Sequence, residues 1–165
     1  MARFIEIRLE QRNVACVARL LDDDAPLTCD IVWNALPLGG DVWHAKFAMN
    51  EIYCLVPPIA GDAPGLENST TVPIPGDVVY FYFPRGHLKP ALRRERGLDQ
   101  FAGVVDLAVF YGRNNFLFDP SVGFVPGNVY ATITENFDAF AQASHDVWRS
   151  GSVGERLTYR RLDRH

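Results

Sequence analysis

Residues 78–83 read Val-Val-Tyr-Phe-Tyr-Phe, six consecutive β-branched or aromatic residues that follow a Pro-Gly-Asp turn at 75–77. Such side chains are enriched in strands because they pack well on a pleated surface. The run is apolar on both faces apart from two hydroxyl groups, so we expect a strand with one face buried in a core and the other covered by a loop. Residues 104–111 form a second strongly apolar run of the same kind.

Shorter runs on either side continue the pattern. Residues 3–9 alternate between apolar and charged side chains, which is typical of a half-buried strand. Residues 14–21 follow after a turn at Asn13, so the two runs predict a hairpin. The remaining strand candidates, which bring the set to about eight, are residues 42–47, 52–56, 128–134 and 155–162.

Two segments have helical periodicity instead. An acidic triplet at 22–24 followed by Pro26 predicts a helix start, and Pro37 predicts its end. Residues 136–149 predict a second helix with one apolar face. Strands outnumber helices and mostly do not alternate with them, which favours a mainly β fold over a doubly wound α/β fold. The architecture that we expect is a closed antiparallel barrel with helical covers. The length of 165 residues predicts a single domain over 1–165.

Composition excludes several classes of protein. With 48% hydrophobic residues, 22% charged residues and a net charge of −4, the chain is neither disordered nor a dedicated nucleic-acid binder. The three cysteines, Cys16, Cys29 and Cys54, have no CxxC spacing and lie in apolar runs, so we expect buried, unpaired thiols. The sequence has no apolar run long enough for a signal peptide or a membrane helix, which predicts a cytoplasmic protein without a membrane partner.

Three features lie outside this regular pattern. Residues 57–76 contain five prolines and predict a long loop, which is usually functional or mobile. Residues 85–100 hold the one basic cluster, which we interpret as a solvated excursion rather than a site for an anionic partner. Asp106 is the only carboxylate in its apolar strand, and we expect it to face solvent because burying it alone would be costly.

The order of several short motifs resembles known families. The hairpin followed by the helix opening at 24–29 (Asp-Ala-Pro-Leu-Thr-Cys) resembles the start of a cyclophilin. Asn-Glu-Ile-Tyr at 50–53, Ile-Pro-Gly-Asp-Val-Val-Tyr at 74–80 and Val-Phe-Tyr-Gly-Arg-Asn at 109–114 together resemble an uncharacterised bacterial family, a domain of unknown function with a cyclophilin-like barrel. This resemblance implies a closed eight-stranded β-barrel with two covering α-helices.

The same resemblance does not imply prolyl isomerase activity. Classical cyclophilins carry a catalytic arginine on a strand that leads to a Gln-Gly-Gly-Asp segment, and that segment is absent from this sequence. Gly39-Gly40-Asp41 matches it in part but follows the first helix directly.

His44 and Glu51 are the candidate catalytic residues. They lie on two short strand candidates, and a hairpin between these strands could bring the two side chains together. A carboxylate beside a histidine fixes the tautomer and shifts the pKa of the imidazole, which is the minimum for acid–base catalysis. The alternative is a histidine that is only hydrogen-bonded at a barrel rim.

Five further side chains complete a candidate ligand site at this rim. Arg113 suits a carboxylate or phosphate, because its planar fork donates two bonds, and Asn114 offers an amide. Both residues could equally belong to a turn. The aromatic walls would be Trp43, Tyr53 and Tyr111.

The sequence therefore predicts binding of a small anionic or amide-bearing metabolite, with His44 as the acid or base if a reaction occurs. It predicts neither a metal site nor a cofactor, because the nucleotide-binding, metalloprotease and hydrolase motifs are absent. Two alternatives remain open. One is a divergent prolyl isomerase or proline-peptide binder, and the other is a structural protein that associates with itself as a homo-oligomer.

Overall fold

The computed structural model describes residues 2–163, so the expected domain over 1–165 includes three residues, Met1, Arg164 and His165, that lie outside the described range. The described residues form twelve strands and three helices. The strands are β1 (Phe4–Leu9), β2 (Val14–Leu20), β3 (Leu38–Asp41), β4 (Trp43–His44), β5 (Glu51–Val56), β6 (Ser69–Thr70), β7 (Asp77–Pro84), β8 (Gly103–Phe110), β9 (Phe118–Asp119), β10 (Gly123–Phe124), β11 (Gly127–Glu135) and β12 (Arg156–Leu162). The helices are α1 (Pro26–Ala35), α2 (Pro90–Glu95) and α3 (Phe137–Ser150).

Ten of the strands form one antiparallel sheet. Its order is β3-β12-β1-β2-β11-β7-β8-β5-β4, and β6 pairs with β11 beside this path. The remaining strands, β9 and β10, form a separate hairpin. The prediction of a mainly β protein with a large antiparallel sheet is thus confirmed, and the eight expected strands are all present.

The two ends of this sheet lie close together without forming a ladder. β3 and β4 are consecutive in the chain, separated only by Val42, yet they occupy opposite ends of the strand order. Gly40 of β3 lies against β5, where a Cβ atom on Gly40 would be 3.0 Å from the Leu55 carbonyl oxygen. No ladder between β3 and β5 is formed in the described part of the chain. The expected closed barrel is therefore not confirmed, and the structure shows an open, curled sheet.

The central strands are buried on both faces. All eight residues of β8 are buried. Val105, Leu107 and Val109 belong to an inner core on the concave side of the sheet, whereas Ala108 and Phe110 belong to an outer core on the opposite face. The outer core consists of Val79, Phe81, Ala108, Phe110, Leu117 and Val129. This confirms the expectation, drawn from 78–83, of a strand with one face in a core and the other under covering segments.

Helices cover the inner core and irregular segments cover the outer one. α1 contributes Cys29 and Val32 to the inner core, and α3 contributes Phe140 and Val147. The outer core is closed by the segment around β9 and β10, from which Leu117 inserts. All three cysteines are free and buried, as expected.

The start of α1 is capped from a distance. The sequence predicts that the acidic triplet at 22–24 supports this helix start, but α1 has no acidic residue in its first turn. Instead, Glu67 in the proline-rich loop accepts hydrogen bonds from the backbone N–H groups of Leu27 and Thr28, at 3.2 and 2.7 Å. A carboxylate at this position satisfies free N–H groups and the helix dipole together. The long loop is therefore anchored to α1.

Glu155 joins the β1–β2 turn to the start of β12. Its side chain is 1% exposed. It accepts hydrogen bonds from the backbone N–H groups of Gln11, Arg12 and Arg156 at 2.8 to 3.0 Å and from the Arg12 guanidinium at 3.0 Å. Burial opposes ionisation, but these donors together outweigh it and lower the pKa of Glu155 below its ordinary value.

We expect Glu155→Gln to lower the free energy of unfolding by about 2 kcal/mol at pH 7, because one of several donors to the carboxylate then faces an NH₂ group. Since folding lowers the pKa of Glu155, its stabilising contribution is complete above its ordinary pKa of 4.5 and is lost as the pH falls through the folded-state value. Urea denaturation between pH 3 and 7 should show that the difference in unfolding free energy between the wild type and Glu155→Gln disappears at acidic pH. Asp23→Asn, which removes an exposed charge, is the control, and an equal effect of both variants would contradict the assignment.

Candidate functional site

The structure divides the seven predicted site residues among three places. Trp43, Tyr53 and Glu51 lie on the outer face of the sheet, and His44 and Tyr111 lie on the inner face. Arg113 and Asn114 lie in an exposed turn beyond β8. The expected hairpin between β4 and β5 does form, but its register decides which side chains meet.

The expected contact between His44 and Glu51 is not formed. In the β4–β5 ladder Trp43 is opposite Tyr53 and His44 is opposite Ile52, while Ala45 donates a backbone hydrogen bond to Glu51. Side chains alternate between the faces of a strand. His44 therefore points with Ile52 to the inner side, and Glu51 points with Tyr53 to the outer side.

His44 is engaged by Tyr111 and by its own neighbour. Nδ1 of His44 lies 2.9 Å from the Ala45 carbonyl oxygen, which can only accept, so Nδ1 carries the proton. Burial lowers the pKa of His44, so the ring is neutral at pH 7 and its Nε2 accepts from the Tyr111 hydroxyl at 2.6 Å. Burial also raises the pKa of Tyr111 to about 12. The pair is a neutral hydrogen-bonded unit at the end of the inner core.

Arg113 and Asn114 form the turn that follows β8. Both side chains are exposed, and Asn114 has a φ of 64°, in the left-handed region that asparagine tolerates. The neighbouring Asn115 is the buried amide of this turn. Its Nδ2 donates to the carbonyl oxygens of Pro73 and Gly112 at 2.9 and 2.7 Å. The turn interpretation thus describes the local geometry of residues 112–115.

Arg96 is the charged group nearest to the predicted aromatic walls. Its guanidinium carbon lies 3.8 Å from the centroid of the Trp43 ring and 5.5 Å from that of Tyr53. Both terminal nitrogens donate to the Tyr53 hydroxyl at 3.2 Å, and Nε is buried without a hydrogen-bond partner. Among the described residues, no carboxylate lies within 4.0 Å of this guanidinium. Arg96 is therefore held by aromatic contact and carries an unpaired positive charge.

Arg93 holds the segment that carries this site. The side chain is 3% exposed, and its Nη2 donates to the carbonyl oxygen of Leu98 at 2.9 Å and to that of Phe101. These bonds hold the turn after α2 together, between Arg93 and Phe101. The interpretation of 85–100 as a solvated excursion is therefore wrong for Arg93 and Arg96, which pack inward, while Arg94 of the same helix is exposed.

Two buried carboxyl groups lie on the same face as this arginine. Asp106 is opposite Leu55 in the β5–β8 ladder, so Asp106 shares the outer face with Leu55, Tyr53 and Glu51. Asp106 and Glu51 are each 5% exposed, and Oδ1 of Asp106 is buried without a hydrogen-bond partner. The expectation that Asp106 faces solvent is wrong, because the outer face of β8 is covered by a second core.

Burial shifts the ionisation of both carboxyl groups in one direction. It raises the pKa of Asp106 well above its ordinary value, against the opposing positive charge of Arg96. It raises the pKa of Glu51 in the same way, and the negative charge of Asp106 adds to that rise. Burial thus disfavours the charged form of both carboxyl groups, and neither group forms an ion pair with Arg96 within 4.0 Å.

A groove of about 300 Å³ opens beside Arg96. We call it the Arg96 groove, and its lining residues are Asp41, Trp43, Leu55, Glu95, Arg96 and Leu98. A second space of about 310 Å³, the Tyr80 cavity, lies beside residues 80–83 of β7, and several of its lining side chains are aromatic. Its walls include Leu66, Tyr80, Phe83, His87, Val125 and Pro126. The Tyr80 hydroxyl donates to the Asp62 carbonyl oxygen at 2.7 Å, so the proline-rich loop forms one wall of this cavity.

Sequence reasoning missed Arg96 and the burial of Asp106. The signals were present, since a single carboxylate in an apolar strand and a basic run beside it are both visible at 104–111 and 85–100. What was not visible is that the basic run folds back onto that strand. Within residues 2–163 there is no cluster of three or more His, Cys, Asp or Glu side chains suited to a metal ion. No helix in the same range is long and apolar enough to cross a membrane.

We expect Asp106→Asn to become more stable relative to the wild type as the pH rises. Because folding raises the pKa of Asp106, its favourable contribution is complete below the ordinary value of 3.8 and is lost as the pH rises towards the folded-state pKa. Asparagine has no such loss, so the difference in unfolding free energy should grow by up to about 1.4 kcal/mol per pH unit. Urea denaturation between pH 4 and 8 measures it. Asp99→Asn, at an exposed site, should show no such trend, and a flat difference for Asp106→Asn would disprove the assignment.

Several solved structures are similar to this chain, among them the following two. The first, described as McbB in complex with tryptophan, has a TM-score of 0.66 and 19% identity over 98% of this chain and 45% of that one, so this chain spans about half of its length. The second is a hypothetical protein, AF2241, from Archaeoglobus fulgidus, with a TM-score of 0.49 and 19% identity over 98% and 95% of the two chains. Neither is described as a cyclophilin.

No curated protein matches the chain. One family does, over residues 7–159, which is nearly the whole sequence. The chain belongs to that family, which is described as a protein of unknown function, DUF3830.

Proposed function

We propose that the protein binds a small metabolite carrying a carboxylate next to an amino group, such as an α-amino acid, in the Arg96 groove. One observation carries the proposal: the guanidinium carbon of Arg96 lies over the Trp43 ring, 3.8 Å from its centroid, and Arg96 has no ion-pair partner in residues 2–163. Each terminal nitrogen donates one of its two hydrogens to the Tyr53 hydroxyl, so one N–H on each nitrogen remains for a ligand carboxylate.

The charges that line the groove support a ligand with both signs. Arg96 supplies a positive charge, and Glu95 and Asp41 supply carboxylates at the same opening. Asp41 also lies 3.6 Å from Arg156, so Glu95 is the less engaged of the two. A ligand carboxylate would bind Arg96, and a ligand ammonium would bind Glu95.

The apolar part of the groove supports a side chain on that ligand. Trp43, Leu55 and Leu98 form the apolar lining, and about 300 Å³ is at the small end of the usual range for ligand pockets. The first structural neighbour is described in complex with tryptophan, which is a molecule of this class. The proposal narrows the metabolite class predicted from the sequence and moves the anion-binding role from Arg113 to Arg96.

Acid–base chemistry forms no part of this proposal, because the residues that line the Arg96 groove do not include the buried carboxyl groups Asp106 and Glu51. His44 lies on the opposite side of the sheet. His44 in its neutral pair with Tyr111 then has a structural role.

The test is a thermal-shift screen of the purified protein against the twenty common amino acids. We expect at least one to raise the melting temperature by roughly 5 °C at a concentration near 100 Kd. An analogue without the carboxylate, tryptamine in the case of tryptophan, should give no shift. Calorimetry on Arg96→Ala should show an affinity about 10- to 100-fold lower.

Two groups of variants make this test specific. Arg94→Ala removes the same charge from an exposed position on α2 and should bind like the wild type. Arg113→Ala and His44→Ala examine the roles predicted from the sequence, and here both should leave the affinity within about twofold. Binding that survives in Arg96→Ala but is lost in Arg113→Ala would overturn the proposal in favour of the exposed turn.

A second candidate function, proline-peptide binding, is favoured by the Tyr80 cavity. Aromatic grooves accept proline rings because these rings are rigid and apolar. In this cavity the His87 ring stacks on Phe83 with centroids 4.4 Å apart and planes 7° from parallel. A protease-coupled assay on a proline peptide with micromolar protein should then show acceleration that is lost in His87→Ala and kept in His145→Ala. An uncatalysed rate with the wild type would exclude isomerase activity.

A further inference from the structure

The hairpin of β9 and β10 has two different faces. Phe118 is directly opposite Phe124 in its short ladder, and Phe116 lies two residues before Phe118, so all three rings project from one face. Leu117, between them, points to the other face and is 4% exposed within the outer core. The inward face therefore closes the outer core, and the outward face presents three phenylalanines.

These three rings pack on one another but remain open to solvent. Their centroids are 5.3 to 6.0 Å apart, at distances typical of aromatic pairs. Between 40 and 60% of each residue is nevertheless exposed. Their mutual contacts hold the rings in place without covering them.

The neighbouring segment adds exposed apolar residues beside the hairpin. The backbone N–H of Leu117 donates to the Thr71 carbonyl oxygen at 2.8 Å, and the side-chain Nδ2 of Asn115 donates to the Pro73 carbonyl oxygen at 2.9 Å, so residues 71–74 run beside 115–117. Val72 and Ile74 are 56 and 64% exposed, and Val122 in the hairpin turn is 50% exposed. We call these six residues the aromatic face: Val72, Ile74, Phe116, Phe118, Val122 and Phe124.

We propose that the aromatic face is the interface of a symmetric homodimer of this chain. It holds six of the twelve large apolar side chains that are exposed in residues 2–163, so it is a concentrated patch and not the usual scatter. If each side chain exposes about half of an ordinary 150–250 Å², the patch offers roughly 500 Å². With its rim this approaches the ~800 Å² per partner of a standard interface.

The chemistry of the face favours a second copy over other occupants. None of its six residues is charged, and interfaces of permanent homodimers are depleted of charge in this way. A twofold axis would place the phenylalanines of one copy against those of the other, where offset and edge-to-face packing needs no further complement. An anionic membrane is disfavoured, because the chain has a net charge of −4 and the face has no Lys or Arg.

Light scattering after size-exclusion chromatography tests the proposal over 1–100 µM protein. The wild type should have twice the mass of the chain, and Phe124→Asp should have the mass of one copy, since a buried unpaired charge weakens such an interface about 100-fold or more. Val153→Asp makes the same kind of change at a residue that is 99% exposed outside the face, and should remain dimeric. A wild type that is monomeric at 100 µM would overturn the proposal.

Folding and the other occupants are controlled within the same experiment. Phe124 is the most exposed of the three rings, so Phe124→Asp should remain folded, with a cooperative thermal unfolding transition. Phe118→Ser is a second, milder variant that should also be folded and monomeric. A dimer that persists in both folded variants would overturn the proposal by placing the interface elsewhere. Co-sedimentation of a monomeric wild type with vesicles of phosphatidylcholine and phosphatidylserine would overturn the dimer proposal and would identify a membrane as the partner of the aromatic face.

Discussion

The burial of β7 and β8 on both faces is the constraint on which the rest of the structure depends. Every residue of β8 is buried, with alternate side chains in the inner and outer cores. A sheet that is covered on both sides needs segments that do the covering: α1 and α3 cover the inner face, and residues 84–102 and 113–126, which are largely irregular, cover the outer face. The groove, the buried carboxyl groups and the aromatic face all lie on or under these segments, because a rigid sheet with irregular cover is where side chains can be placed for binding.

The outer face shows how burial controls charge in this protein. Asp106 has a raised pKa because it is buried with an oxygen atom that no donor reaches, whereas Glu155 has a lowered pKa because several N–H groups converge on it. The difference comes from hydrogen bonding to the charged form of Glu155 and from the greater depth at which Asp106 is buried. As a result Glu155 works as a structural anion, while Asp106 forms no ion pair with Arg96. An arginine and a buried carboxyl group that form no ion pair with each other are an unusual arrangement for stability alone, since buried polar groups are normally paired.

The two sides of the sheet have separate tasks. On the inner face, His44 and Tyr111 form a closed, neutral pair that completes a core. On the outer face, Arg96 stacks on Trp43 at the edge of an open groove. The hairpin of β9 and β10 covers the outer core with Leu117 and turns its phenylalanines outward. Dimerisation through those phenylalanines would bury the outward face of the hairpin. Different residues line the Arg96 groove, so the dimer proposal and the ligand-binding proposal can fail independently.

The sequence by itself determined eight of the twelve strands, the helices at 26–35 and 137–150, the mainly β class and the burial of the cysteines, but not the four short strands β3, β6, β9 and β10 or the helix α2. These follow from local periodicity and turn residues, which act over a few positions. It could also predict that β4 and β5 pair, but not that His44 is opposite Ile52, and a shift of one residue moves a side chain to the other face. Only the tertiary structure decided that the basic run folds back onto Trp43 and that Asp106 lies under a second core. It also left the curled sheet open between β3 and β5. These outcomes depend on which distant segment covers a strand, and that choice is set by packing across the whole domain rather than by any pattern within the segment.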